Sequence, residues 1–196
     1  MRRFKKAARV LGVAESFEKE VYRRSILSGV VMRGDFIIDG FAFTTLTVGG
    51  MDATDRIIEM YQSLGRQDIN VIMIGGSIIS WFNIIDLSKV YILTGIPVIS
   101  ISYEPSEHDI EKCLREYFPR DCMERIKIYR RNGARYTVKL HTGFTVYVRP
   151  SGLSIEEAKE ILESFTLQGR IPEPVRVARL LSRRLLSFRK GLTGLE

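Results

Sequence analysis

SILSGVVMRGDFIIDGFAFTTLTV, residues 25–48, reads as two apolar runs around one turn. The runs are SILSGVVMR (25–33) and DFIIDGFAFTTLTV (35–48), both rich in the β-branched and aromatic residues that suit a pleated surface. Arg33-Gly34-Asp35 between them supplies the turn, so the stretch predicts an antiparallel hairpin. Upstream, ARVLGVA (8–14) is another short apolar run, read as a buried strand. Three strands therefore precede any helix.

Downstream of Gly49-Gly50 the period changes. MDATDRIIEMYQSLG (51–65) sets Ile57, Ile58, Tyr61 and Leu64 at helical spacing and stops at Gly65. INVIMIGG (69–76) is continuously apolar, as in a strand covered on both faces. FNIIDLSKVYILTG (82–95) predicts a helix ending at Gly95, and PVISISY (97–103) a further buried strand. Strands joined through helices to parallel neighbours make right-handed crossovers. Three antiparallel strands followed by two such crossover strands is the topology of a ribonuclease H-like mixed α/β sheet, order 3-2-1-4-5, flanked by helices. A flavodoxin-like sheet is the rival, but it alternates strand and helix from the start, which the early hairpin opposes.

The remainder reads as an extension of one domain spanning 1–196. SEHDIEKCLREYF (106–118) predicts a helix capped by Ser106, continued by DCMERIKIYR (121–130) as a second helical segment. ARYTVKLHTGFTVYVRP alternates around His141-Thr142-Gly143 as a second hairpin. SIEEAKEILESF (154–165) opens with a capping box, Ser154 and Glu157. IPEPVRVARLLSRRLLSF (171–188) has Pro174 at a helix start and an apolar stripe of Val177, Leu180, Leu181 and Leu185. Residues 134–196 thus form a hairpin and helical extension packed on the sheet.

Hydrophobic residues at 45% and charged residues at 27% exclude disordered and collagen-like chains. No apolar run approaches the roughly 20 residues of a membrane span. The basic start lacks the long apolar core of a signal peptide, and a soluble cytoplasmic protein with no membrane partner is the expectation. Cys113 and Cys122 cannot build a disulfide framework or a four-cysteine zinc site. His108 and His141 lie in different elements, and no Ser–His–Asp or Cys–His spacing appears. The net charge of +7 sits at the ends. Arg2, Arg3, Lys5, Lys6 and Arg9 precede any acid; Arg170, Arg176, Arg179, Arg183, Arg184, Arg189 and Lys190 crowd the C-terminal stretch, opposed by Glu173 and Glu196. Such ends suit a polyanion, nucleic acid above all, although a solvated helix face gives the same pattern.

In open α/β sheets, sites gather at the C-terminal strand ends. Those ends are Ala14-Glu15 and Gly75-Gly76-Ser77. Glu15 is a candidate ligand for hard Mg²⁺ or Mn²⁺, or else a solvated charge ending a strand. In GGMDATD, Asp52 and Asp55 would cap the next helix as an Asp version of the capping box, or turn one carboxylate toward the strand tips. Asp39, within a strand, and Asp86, early in a helix, are weaker candidates. GGSIISWFN lacks the Lys-Ser/Thr ending of a P-loop; its glycines, Gly76 among them, could still meet a phosphate, and a tight turn explains them as well. Trp81 and Phe82 would stack on a base or fill a buried helix, and Asn83 would contact a ligand or cap.

RVLGVAESFEK, GDFIIDG, VGGMDATDRI, VIMIGG, FNIIDL, TGIPVI and GRIPEPVRVARLL, in that order over about residues 8–188, resemble the archaeal endonuclease dU family, related to endonuclease V. The resemblance implies a ribonuclease H-like fold and Mg- or Mn-dependent cleavage of DNA carrying deaminated bases, deoxyuridine in particular. It also implies two aspartates ending the first strand and an Asp-Gly ending the fourth, where this chain has Ala14-Glu15 and Gly75-Gly76. The expectation is therefore a nucleic-acid-binding protein, with DNA favoured over RNA, whose metal site is weakened or lost. One alternative is an active Mg-dependent endonuclease on uracil- or hypoxanthine-containing DNA, its rearranged site drawn from Glu15, Asp52, Asp55 and Asp86, with Glu15 and Asp52 catalytic. Another is a non-catalytic regulatory homo-oligomer formed through the C-terminal helix. Arg170, Arg176, Arg179, Arg183, Gly76 and Asn83 are the expected nucleic-acid contacts.

Overall fold

The computed structural model describes residues 7–19, 22–105 and 109–193. Arg2, Arg3, Lys5, Lys6, Ser106, His108 and Glu196, all named above, lie outside them. The two runs of 25–48 form β2 (Arg24–Arg33) and β3 (Ile38–Thr47), paired antiparallel. β1 (Arg9–Ser16) pairs antiparallel with β2 and parallel with β4 (Ile69–Ile74), and β4 pairs parallel with β7 (Val98–Ser102). The expected 3-2-1-4-5 order is present. The second hairpin, β8 (Tyr136–Lys139) and β9 (Thr145–Ser151), then extends the same sheet, with β9 antiparallel to β7.

β1 reads as an unbroken apolar run because both of its faces are covered. Side chains alternate across a strand. Leu11 and Val13 point to one core, under α1 (Ala53–Ser63) and α2 (Leu87–Thr94). Val10 and Ala14 point to the other, under α5 (Ile155–Phe165) and α6 (Glu173–Thr193). A small third core joins α3 (Ile110–Tyr117) and α4 (Cys122–Arg131) through Leu114 and Ile126. α6 lies directly on β1: a Cβ at Gly12 would overlap the Pro174 backbone, so only glycine permits this approach.

Three local expectations are corrected. Residues 82–95 are not one helix: Asn83–Ile84 form β6, which pairs with β5 (Ile78–Ile79), and α2 begins only after Asp86. Ser80, Trp81 and Phe82 between these strands all have left-handed φ, 43°, 57° and 63°, which breaks helical continuity. The second helical segment expected after α3 is present as α4, set off from it between Phe118 and Asp121. α3 is capped by Asp109, whose carboxylate accepts from Lys112 N–H. On α6 the buried line is Val175, Ala178, Ser182 and Leu186, and Leu180 faces solvent. Its neighbours at spacings of 3 and 4 carry the packing instead.

Candidate functional site

β1, β4 and β7 run parallel, so their C-terminal ends share one edge of the sheet. Ala14 and Glu15 lie at the end of β1, Gly75 follows β4, and Tyr103 follows β7. With Val175 and Arg179 from the first turns of α6, these residues line a cavity of about 200 Å³. Gly75 N–H donates to the Val13 carbonyl at 3.0 Å, locking the two tips together. A Cβ at Gly75 would stand 4.0 Å from the Ala14 Cβ and 3.2 Å from Val175 Cγ1. Side chains at these positions would therefore face one another across the cavity floor, which here offers only a methyl group and a hydrogen.

Glu15 leaves β1 from the opposite face to Ala14 yet still borders the cavity, because it sits where the sheet ends. Both of its carboxyl oxygens are engaged: Ser80 N–H donates to one at 3.3 Å and Ser80 Oγ to the other at 3.3 Å. Ser80 is itself held by Ser25, Oγ to Oγ at 2.6 Å. Burial pushes the Glu15 carboxyl above its ordinary value of 4.5, against the opposing pull of the Ser80 bonds and the Arg179 charge. The Tyr103 hydroxyl is shielded from solvent and has no hydrogen-bond partner among the described residues. Burial raises its pKa as well, again opposed by Arg179 and then Arg170. Arg170 is anchored beneath it, donating to the Tyr103 carbonyl at 2.8 Å. The Arg179 guanidinium is exposed at the cavity mouth, with no hydrogen bond or ion pair among the described residues.

The other acids are committed elsewhere. Asp52 begins α1 but makes no side-chain cap; it accepts from Thr47 N–H, Thr47 Oγ1 and, at 2.8 Å, Asn83 Nδ2. Asn83 replaces it as the cap, its Oδ1 accepting from Ala53 N–H at 3.0 Å, while Nδ2 also donates to the Thr47 carbonyl. Asn83 is fully buried, so the nucleic-acid contact expected of it is corrected to a structural tie. Asp55 pairs with Lys89 at 2.7 Å. Asp86 caps α2 through Lys89 N–H and takes Arg131 at 2.5 Å. Asp39 is held between Arg9 and Arg66. Gly76, with φ 108°, forms the turn after β4. Arg176 pairs with the buried Glu173 at 2.5 Å, while Arg183 is exposed one helical turn beyond Arg179.

A pair of Mg²⁺ or Mn²⁺ ions needs several carboxylate oxygens converging at one place. Glu15 is the one carboxyl lining this cavity, and Arg179 stands beside it. Among the described residues no group of three or more His, Cys, Asp or Glu side chains comes together to hold a metal ion. The donor set therefore does not fit a two-metal centre, and the expected grouping of Glu15 with Asp52, Asp55 and Asp86 does not form. Tyr103 and Ser80 were not singled out from the sequence. Tyr103 was within reach, since it ends the fifth strand on the edge where sites gather; Ser80 carried no signal.

The UPF0215 protein of Thermococcus gammatolerans is 38% identical over 187 residues, covering 93% of this chain and 94% of its own. The crystal structure of an Archaeoglobus fulgidus protein of unknown function superposes with a TM-score of 0.77 at 28% identity, covering 91% of this chain and 98% of that one. Endonuclease V of Ciona intestinalis, crystallised with a 24mer DNA containing an inosine followed by a ribo-adenosine, superposes at 0.63 with 15% identity, covering 93% of this chain and 87% of that one. That last likeness supports the ribonuclease H-like fold and nothing finer. The family model for endonuclease dU matches residues 6–186, nearly the whole length, and the chain belongs to that family.

Proposed function

We propose that this chain binds nucleic acid on an endonuclease V-like scaffold from which the metal-dependent nuclease centre has been lost or reduced. The observation that carries the reading is the facing pair Ala14 and Gly75, two cavity-floor positions without a carboxylate, beside an arginine that is unpaired among the described residues. Arg176, Arg179 and Arg183 recur at spacings of 3 and 4, so they share one flank of α6 running away from the cavity mouth. A row of that kind matches the repeating charge of a phosphate backbone. The DNA bound to the Ciona endonuclease V supports the same partner class on this fold.

The test is titration of a labelled oligonucleotide in EDTA at several salt concentrations. Affinity should fall log-linearly with salt, and Arg179→Gln with Arg183→Gln should flatten the slope by roughly 1–2 units. Salt-independent binding would contradict the reading. Nicking of uracil- or hypoxanthine-containing DNA with Mg²⁺ or Mn²⁺, abolished by Glu15→Gln, would restore the active endonuclease in its place.

A further inference from the structure

The cavity at the strand ends has the wrong sign for a cation. Its one carboxyl, Glu15, has both oxygens occupied by Ser80. Ala14, Gly75 and Val175 make the floor and one wall apolar. What remains polar is donor chemistry: the Tyr103 hydroxyl, shielded and unpartnered, and the Arg179 guanidinium, without an ion pair among the described residues. A buried hydroxyl without a partner is unusual in a folded protein and calls for an acceptor. An arginine carries five donors and keeps its charge at every accessible pH. The two residues line one space from different elements, Tyr103 from the end of β7 and Arg179 from α6.

We propose that this cavity is a metal-free anion site that takes one phosphate group, with Arg179 supplying the charge and Tyr103 the hydroxyl donor. Arg179 faces one carboxyl here, Glu15, whose oxygens are both taken up by Ser80, and its own guanidinium donors, without a partner among the described residues, are free for a ligand. A cavity of about 200 Å³ accommodates a tetrahedral oxyanion with attached waters. Arginine and phosphate pair through parallel N–H donors, the strongest hydrogen bonds available at such a site. The identification of the source as a phosphodiester of nucleic acid rests on the function proposed above; the anion site itself does not.

Calorimetric titration of the full chain in EDTA with inorganic phosphate, then with an oligonucleotide lacking terminal phosphates, separates the two. The expected result is one phosphate per chain, weakened at least about tenfold by Arg179→Gln and several-fold by Tyr103→Phe. Tyr103→Phe keeps the ring that packs on the core and Arg179 has no hydrogen bond or ion pair among the described residues, so both variants should fold, and thermal melting checks that they do. Absence of saturable phosphate binding, or equal binding by both variants and the parent, overturns the site. Salt-dependent oligonucleotide binding without phosphate binding would sink the anion site and leave the nucleic-acid reading standing. Phosphate binding without oligonucleotide binding would do the reverse, pointing to free phosphate or a small phosphorylated molecule.

Discussion

Two polar clusters lie near the strand ends, and they differ in whether the chain completes them. Around Asn83, donors and acceptors meet within the protein: Asn83 joins Ala53, Thr47 and Asp52, and Arg125 donates to the carbonyls of Gly49, Gly50 and Phe82. At the cavity, among the described residues, the Tyr103 hydroxyl has no partner and Arg179 no counter-charge in contact, and Ala14 and Gly75 bring no polar side chain. The first cluster is scaffold, because the Asn83 amide and the Asp52 carboxylate are spent within the protein and Arg125 is tied by both terminal nitrogens, with its buried Nε left over. The second is where an outside group would find unmet donors. An acid in a motif is therefore no guide to chemistry until its partners are known: Asp52 is spent on a turn, while Glu15 reaches the open cavity.

The contrast can be broken from the scaffold side first. Asn83→Ala would leave the Ala53 N–H, the Thr47 carbonyl and the Asp52 carboxylate short of partners, and should cost about 3 kcal/mol in urea unfolding. Gly12→Ala forces α6 off β1 at Pro174 and should cost about 2–3 kcal/mol, with loss of the cavity wall that Val175 and Arg179 supply. Tyr103→Phe is the opposite case. Its hydroxyl bonds to nothing, so removal should be neutral or stabilise by up to about 1 kcal/mol in the same assay. A loss as large as that of Asn83→Ala would place Tyr103 in the scaffold and erase the distinction.

The smallest effect concerns pH. Burial raises the Glu15 pKa in the folded chain above its ordinary 4.5, so the folded state holds the proton longer than the unfolded state. Stability from this group is then full below 4.5 and is lost as pH rises toward the raised folded value. Glu15→Gln removes that loss, and the gap between parent and variant should grow with pH across this window and then level off. A gap that grows as pH falls would mean that the Ser80 bonds and Arg179 outweigh burial.

Much of the sheet was legible because strand period and apolar runs report burial directly. β1 and β4 are covered on both faces and read as unbroken Val, Leu and Ile, and Gly34 marks the first hairpin turn. β5 and β6 were not legible: each has two residues, and the left-handed Ser80, Trp81 and Phe82 between them override a pattern that resembles a helix. The cap on α1 was misread because Asn83 reaches it from 30 residues away in the chain, beyond any local motif. At the site, Ala14 and Gly75 at the strand ends were legible directly, because a continuous apolar run shows where each strand stops. The unmet Tyr103 hydroxyl was not, since an orphaned donor is a property of its surroundings.

Calorimetric titration of Mn²⁺ into the full chain tests most directly the proposal that the strand-end cavity does not hold metal. The parent should give no saturable heat, whereas Ala14→Asp with Gly75→Asp, which puts facing carboxylates back on the floor, should gain a binding step. Saturable Mn²⁺ binding by the parent that disappears in Glu15→Gln would contradict the claim and make the cavity a metal centre.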